Sequence, residues 1–181
     1  MNPSTILVCC HANRCRSPIG EHLFKQALAH AGKSQFDVSS AGFLESGHPA
    51  DPAVIEVLNE VGLDAAAHSS TQLDKQVVRD ADLVVVMERA QVRQLAVDYR
   101  AFAKVFTVKE FARRSSASPQ MPGEDFKDWV ARVHEGRTTA DLAGASDADD
   151  TADPLGMPTS AFRATREELA GAIQTIVANM A

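Results

Sequence analysis

Two rhythms of apolar residues run along the chain. Ile6-Leu7-Val8-Cys9-Cys10 is short and continuous, the pattern of a strand buried on both faces. Pro18 then stands where a first helical turn accepts it, and Ile19, Leu23, Phe24, Ala27 and Leu28 follow at helical spacing, with Gly32 closing the helix. Phe36 to Ala41 predicts a second strand. Asp51-Pro52 predicts the start of a second helix, carrying Val54, Ile55, Val57, Leu58 and Val61 before Gly62. Leu83-Val84-Val85-Val86-Met87 predicts a third buried strand, and a polar helical stretch follows from Glu88. Val105 to Val108 predicts a fourth strand. From Phe162 onward, Leu169, Ile173, Ile176 and Val177 mark a closing amphipathic helix. This alternation predicts an α/β fold: a doubly wound, four-stranded parallel sheet with helices on both faces, three layers in one domain over 1–181.

The segment from about Arg113 to Asp150 breaks this rhythm. It is rich in Ser, Gly, Pro and charge and holds the single tryptophan, Trp129, in a short helix-like stretch. From Gly144 to Asp153 it turns small and acidic. The expectation is a long excursion, partly helical and partly mobile.

Composition narrows the function. Eighteen Lys and Arg against 24 Asp and Glu give a formal charge of −6, which argues against a general nucleic-acid binder. No apolar run approaches the roughly 20 residues of a membrane span, and the start of the chain lacks a signal-peptide pattern, so the chain is expected in the cytoplasm. Cys9, Cys10 and Cys15 lie within seven positions and no cysteine follows them, which is not a disulfide framework. A zinc site from Cys9, Cys10, His11 and Cys15 lacks a second ligand pair at a usual spacing. No metal and no cofactor is expected.

The chemistry concentrates between the first strand and the first helix. The stretch Cys10-His11-Ala12-Asn13-Arg14-Cys15-Arg16-Ser17-Pro18 joins a strand to a helix. Such a loop turns its N–H groups inward above a helix amino terminus and makes an anion cradle. The Gly-Lys-Ser/Thr ending of a nucleoside-triphosphate loop is absent. A thiol and a guanidinium stand six residues apart instead. The cradle favours a thiolate at Cys10 and holds phosphoryl oxygens, and Arg16 can bind two of those oxygens in a fork. Ser17 can hydrogen-bond the sulfur.

These residues resemble the loop of the low-molecular-weight protein tyrosine phosphatases, Cys-x-Gly-Asn-x-Cys-Arg-Ser-Pro. Ser40-Ala41-Gly42, Gly47-His48-Pro49-Ala50-Asp51-Pro52, His68, the stretch Asp82 to Glu88 and Asp153-Pro154 extend the resemblance over most of the chain outside the excursion. The resemblance implies a phosphomonoester hydrolase acting through a cysteinyl-phosphate on phosphotyrosine protein or another phosphomonoester. It implies Cys10 as nucleophile, Arg16 as phosphate clamp and Asp153 as general acid and base. His11, Ala12, Asn13, Arg14, Cys15 and Ser17 would line the phosphate. Asn13 would hold the loop's shape, supported by Ser40 and His68, and Cys15 would trap oxidised Cys10. Asp147, Asp149 and Asp150 are rivals for the acid, and Pro154 favours Asp153.

The chain departs from the family pattern at several points. Ala12 replaces Gly, and Arg14 stands where a small or apolar residue is usual. Leu155-Gly156 follows Asp-Pro where tyrosines are usual, and the wall Phe43-Leu44-Glu45-Ser46 lacks Trp and Tyr. Other readings are a catalytically silent anion-binding or regulatory module and an arsenate reductase, the latter opposed by the lack of cysteines beyond Cys15. A phosphoarginine phosphatase is a further reading, opposed by Arg14 where Thr is usual. Oligomeric state is not legible.

Overall fold

The computed structural model describes residues 3–139, 141 and 147–181; the first part of the acidic run, from Gly144, falls outside them. Four parallel strands form one sheet in the order β2-β1-β3-β4: β1 Ser4–Cys10, β2 Phe36–Gly42, β3 Leu83–Val86 and β4 Val105–Thr107. The chain starts at an inner strand, crosses to one edge and returns to the other side. Its point of reversal lies between β1 and β3, and ligands of such sheets collect outside the carboxyl ends of the strands at that point.

Both faces of the sheet are covered, and strand alternation divides the core. Ile6, Val8 and Cys10 with Leu83, Val85 and Met87 face the larger cluster. Helices α1 Arg16–His30, α2 Pro52–Asn59, α5 Val108–Ala117, α6 Phe126–His134 and α7 Thr159–Ala178 supply most of its other side chains. Leu7 and Cys9 with Val84 and Val86 face the other way, against Val78 of α3 Lys75–Asp80 and Val92 and Leu95 of α4 Arg89–Asp98. The continuous apolar runs of β1 and β3 follow from this burial on two sides.

Local chemistry sets several boundaries. Asp51 caps α2, its carboxylate accepting from Ala53 N at 2.9 Å, with Pro52 at the first helical position. The second helix was expected to carry Val61, but α2 ends at Asn59 and the chain turns through Gly62 at φ 76°, which leaves Val61 40% exposed. Val108 opens α5 rather than ending β4, because the Thr107 hydroxyl accepts from Glu110 N at 3.1 Å and caps the helix. Helix α3 has no counterpart in the apolar pattern, since only Val78 of its six residues is buried. The excursion expected from Arg113 begins inside α5, and its tryptophan is an anchor. Trp129 is fully buried against Phe111 and Phe126, and its Nε1 donates to Ser118 O at 2.8 Å. Among the described residues, no helix is long and apolar enough to cross a membrane.

Candidate active site

The loop from Cys10 to Arg16 lies at the sheet's point of reversal, and Asn13 determines its shape. Asn13 takes φ 53°, a left-handed conformation that Asn tolerates better than most residues. Ala12 is not in that region, so its methyl group adds no backbone strain where Gly is usual. The Asn13 side chain is fully buried and fully used. Its Nδ2 donates to Ser17 Oγ at 2.9 Å and Ser40 Oγ at 2.8 Å, and its Oδ1 accepts from Thr71 N at 2.8 Å. His68 Nε2 lies 2.8 Å from the Asn13 carbonyl, and Ser40 Oγ donates onward to Glu21.

The loop is pressed against the end of β2. A Cβ on Gly42 would stand 2.6 Å from Asn13 N and 2.8 Å from Ala12 C, so only glycine fits there. His11 is exposed, and its carbonyl accepts from Phe43 N at 2.7 Å. Among the described residues, the N–H groups of Ala12, Asn13, Arg14 and Cys15 donate to no protein group, and Cys15 precedes α1 without a side-chain cap. Four donors without a protein acceptor therefore stand in one short loop beside a helix amino terminus, the makings of an anion cradle.

Cys10 and Arg16 stand at the two ends of that loop. Cys10 is buried, with Sγ 3.0 Å from Ser17 Oγ. Arg16 is 2% exposed. Its Nη1 donates to Glu88 Oε1 and to Thr151 O at 2.9 Å, and its Nη2 donates to Asp153 Oδ2 at 2.7 Å. Its Nε is buried and has no partner among the described residues. Leaving such a donor unmade costs about 1–3 kcal/mol, which an anion's oxygen would recover.

The rival carboxylates are engaged elsewhere. Asp150 Oδ1 accepts from Arg89 N at 2.7 Å, and Asp149 Oδ2 accepts from Arg89 at 2.9 Å and Arg113 at 2.8 Å. Asp147 is exposed, and no hydrogen bond or ion pair joins it to Arg16. Asp153, half exposed, is the aspartate that reaches the clamp. Its Oδ1 also accepts from Leu155 N at 3.2 Å.

The other two thiols differ from Cys10. Burial pushes Cys9 well above the usual thiol range, and its side chain packs on the opposite face of the sheet. Cys15 is pushed up to about 12, chiefly by burial and then by the nearby negative charges of Asp51 and Asp153.

Arg14 lies half-buried at the outer edge, its Nε donating to Pro49 O at 3.0 Å. It borders a cleft of about 400 Å³ with Ala12, Phe43, Leu44, Glu45 and His48. Acid and base thus line the same cleft. Glu88, Thr151, Glu21 and Thr71 join the site without having been singled out in the sequence. The one signal available was for Glu88, which follows a buried strand at its carboxyl end, where ligands of such sheets collect. Among the described residues, no cluster of His, Cys, Asp and Glu is arranged to hold a metal.

Comparison with known proteins agrees with this geometry. The family model described as low molecular weight phosphotyrosine protein phosphatase matches residues 5–122. The probable low molecular weight protein-tyrosine-phosphatase EpsP of Ralstonia solanacearum is 36% identical over 137 residues, 73% of this chain and 90% of that protein. An arsenate reductase of Staphylococcus aureus is 37% identical over 87 residues, 48% of this chain and 62% of the reductase. The crystal structure of a low molecular weight protein tyrosine phosphatase from T. tengcongensis aligns with a TM-score of 0.74 at 29% identity, covering 97% of this chain and 98% of that one. With the loop, the sheet order and the matched span all in agreement, the chain belongs to the low molecular weight phosphotyrosine protein phosphatase family.

Proposed function

We propose that this chain hydrolyses phosphomonoesters through a cysteinyl-phosphate, with phosphotyrosine on a protein as the substrate. One observation carries the reading: the loop whose four backbone N–H groups have no protein acceptor ends on a buried guanidinium that holds the Asp153 carboxylate and keeps an unpartnered Nε. A phosphate dianion fits this arrangement. Its oxygens would take the loop N–H groups and the Nε and Nη2 edge of Arg16, displacing Asp153 from Nη2 toward the leaving group.

The reaction then has two steps. Cys10 Sγ attacks phosphorus, an S–P bond forms, and the P–O bond to the leaving group breaks. Asp153, in its acid form, gives its proton to the departing oxygen. In the second step Asp153 takes a proton from water, the water oxygen attacks phosphorus, and the S–P bond breaks. The Ser17 hydroxyl donates to the sulfur as negative charge returns to it, which eases its departure. Asn13, tied by Ser40, His68 and Thr71, keeps the donors aimed throughout.

The arsenate reductase reading needs resolving cysteines, and the sequence has none beyond Cys15. Three unpaired thiols support a reducing compartment, and we place the enzyme in the cytoplasm. The test is hydrolysis of an aryl phosphate with and without chelator. Turnover that chelator leaves unchanged supports the reading. No turnover favours a silent anion-binding module, and turnover abolished by chelator contradicts thiol chemistry.

A further inference from the structure

The segment carrying Asp153 has no regular structure, and a chain of ions, half-buried at the segment and buried behind it, holds it in place. Arg89 grips it twice. Its guanidinium donates from Nη2 to Asp149 Oδ2 at 2.9 Å, and its backbone N–H donates to Asp150 Oδ1 at 2.7 Å. The other arm of the same guanidinium, Nη1, donates to Glu110 Oε2 at 2.8 Å. Glu110 is 3% exposed, and its Oε1 accepts from Arg137 Nε at 3.0 Å. Arg137 is itself fixed, its guanidinium 4.1 Å from the ring centre of Phe106 and 4.5 Å from that of Phe102.

Arg89 follows Glu88, which holds Arg16. Consecutive residues at the start of α4 therefore set both partners of the reaction. Glu88 orients the phosphate clamp, and Arg89 orients the segment that brings Asp153 to it. A rigid guanidinium fork with both arms engaged transmits position better than a flexible ammonium. We propose that Arg89, braced by Glu110 and Arg137, is a positioning residue for the proton transfer by Asp153. The proposal rests on the reading of Asp153 as the general acid. It gives the excursion a task, since Arg137 and Asp149 both come from it.

The experiment is steady-state hydrolysis of aryl phosphates graded in leaving-group acidity, by wild type, Arg89→Gln, Asp153→Ala and the double variant. For Arg89→Gln, kcat/KM, which reports the step that expels the leaving group, should fall about tenfold to a hundredfold on poor leaving groups and less than about threefold on the best. Inhibition by inorganic phosphate should be unchanged. In the Asp153→Ala background, Arg89→Gln should add nothing. An equal loss across the series, or a full additional loss in the double variant, overturns the proposal.

Asp149→Asn keeps the shape of its side chain and removes one charge. It should give the same pattern at smaller size, and it decides alone if Arg89→Gln does not fold. A flat loss for Asp153→Ala itself would remove the acid assignment and this proposal with it. A steep series for Asp153→Ala with a flat one for Arg89→Gln would remove the positioning role only.

Discussion

The loop from Cys10 to Arg16 and the segment from Asp149 to Asp153 meet at one guanidinium, but they are built from different interactions. The loop is held by neutral hydrogen bonds from a fully buried Asn13 to the buried hydroxyls of Ser17 and Ser40 and from Thr71 N. The acid segment is held by ion pairs from Arg89, Arg113 and Arg16, and Asp153 remains half exposed. A dry neutral network is rigid and costly to break. A partly wet ionic one holds position while letting a carboxylate exchange partners. The loop must present the same donors to every phosphate, whereas the acid must leave Arg16, give a proton and recover it.

Single substitutions should separate the two. Asp153→Ala should lower kcat/KM, which reports the phosphorylation step, on poor leaving groups by about 10²–10⁴, spare it on good ones, and change stability by less than about 1 kcal/mol. Asn13→Ala should do the reverse. Thr71 N loses its acceptor, and alanine must hold a left-handed backbone, so about 3 kcal/mol of stability should go. The distorted loop should lose about a hundredfold in rate on every substrate alike. Leaving-group series and chemical denaturation, run on both variants, check this. A flat series for Asp153→Ala or a steep one for Asn13→Ala would break the comparison.

Cys15 tests whether the loop's dryness reaches its chemistry. A thiol raised to about 12 is protonated at neutral pH, and only its thiolate can attack oxidised Cys10. After mild peroxide, capture of Cys10 by Cys15 should therefore be slow near neutrality and rise about tenfold per pH unit toward 12, following the thiolate fraction. Quenched alkylation and mass spectrometry would follow it. A rate independent of pH would mean that Cys15 is not the attacking group.

The smallest effect is expected at the rim. Arg14 shares its cleft with Glu45 and spends its Nε on Pro49 O. Its preference for acidic-flanked phosphotyrosine peptides over neutral ones should stay below about fivefold and vanish at high salt. Arg14→Ile assayed on such a peptide pair checks it, and an unchanged preference would move specificity away from Arg14.

The two regions were not equally legible in the sequence. Cys10, Asn13, Arg16 and Ser17 lie within eight consecutive residues, so the loop's whole vocabulary could be read in one line. Asp153-Pro154 could be read as well, but the residues that hold it could not. Arg89 and Asp149 are 60 positions apart, and Arg137 reaches Glu110 across 27. Charged residues with no apolar periodicity resemble a solvated surface until the fold brings them together. Strands β1 and β3 were plain because burial on two faces forces continuous apolar runs. Helix α3 was hidden because it buries one side chain, and Val61 misled because a helix that ends early turns its next apolar residue outward.

The covalent intermediate on Cys10 is the central claim, and it can be trapped. In Asp153→Ala, an aryl phosphate with a good leaving group should still phosphorylate the enzyme, while hydrolysis lacks its base and slows. Rapid acid-free quenching and peptide mass spectrometry should then find one phosphoryl group on the peptide containing Cys10. The group should be absent when Cys10→Ser is added and should remain when Cys9→Ser is added instead. Phosphate on Cys9, Cys15 or a histidine, or turnover that persists in Cys10→Ser, would contradict the account.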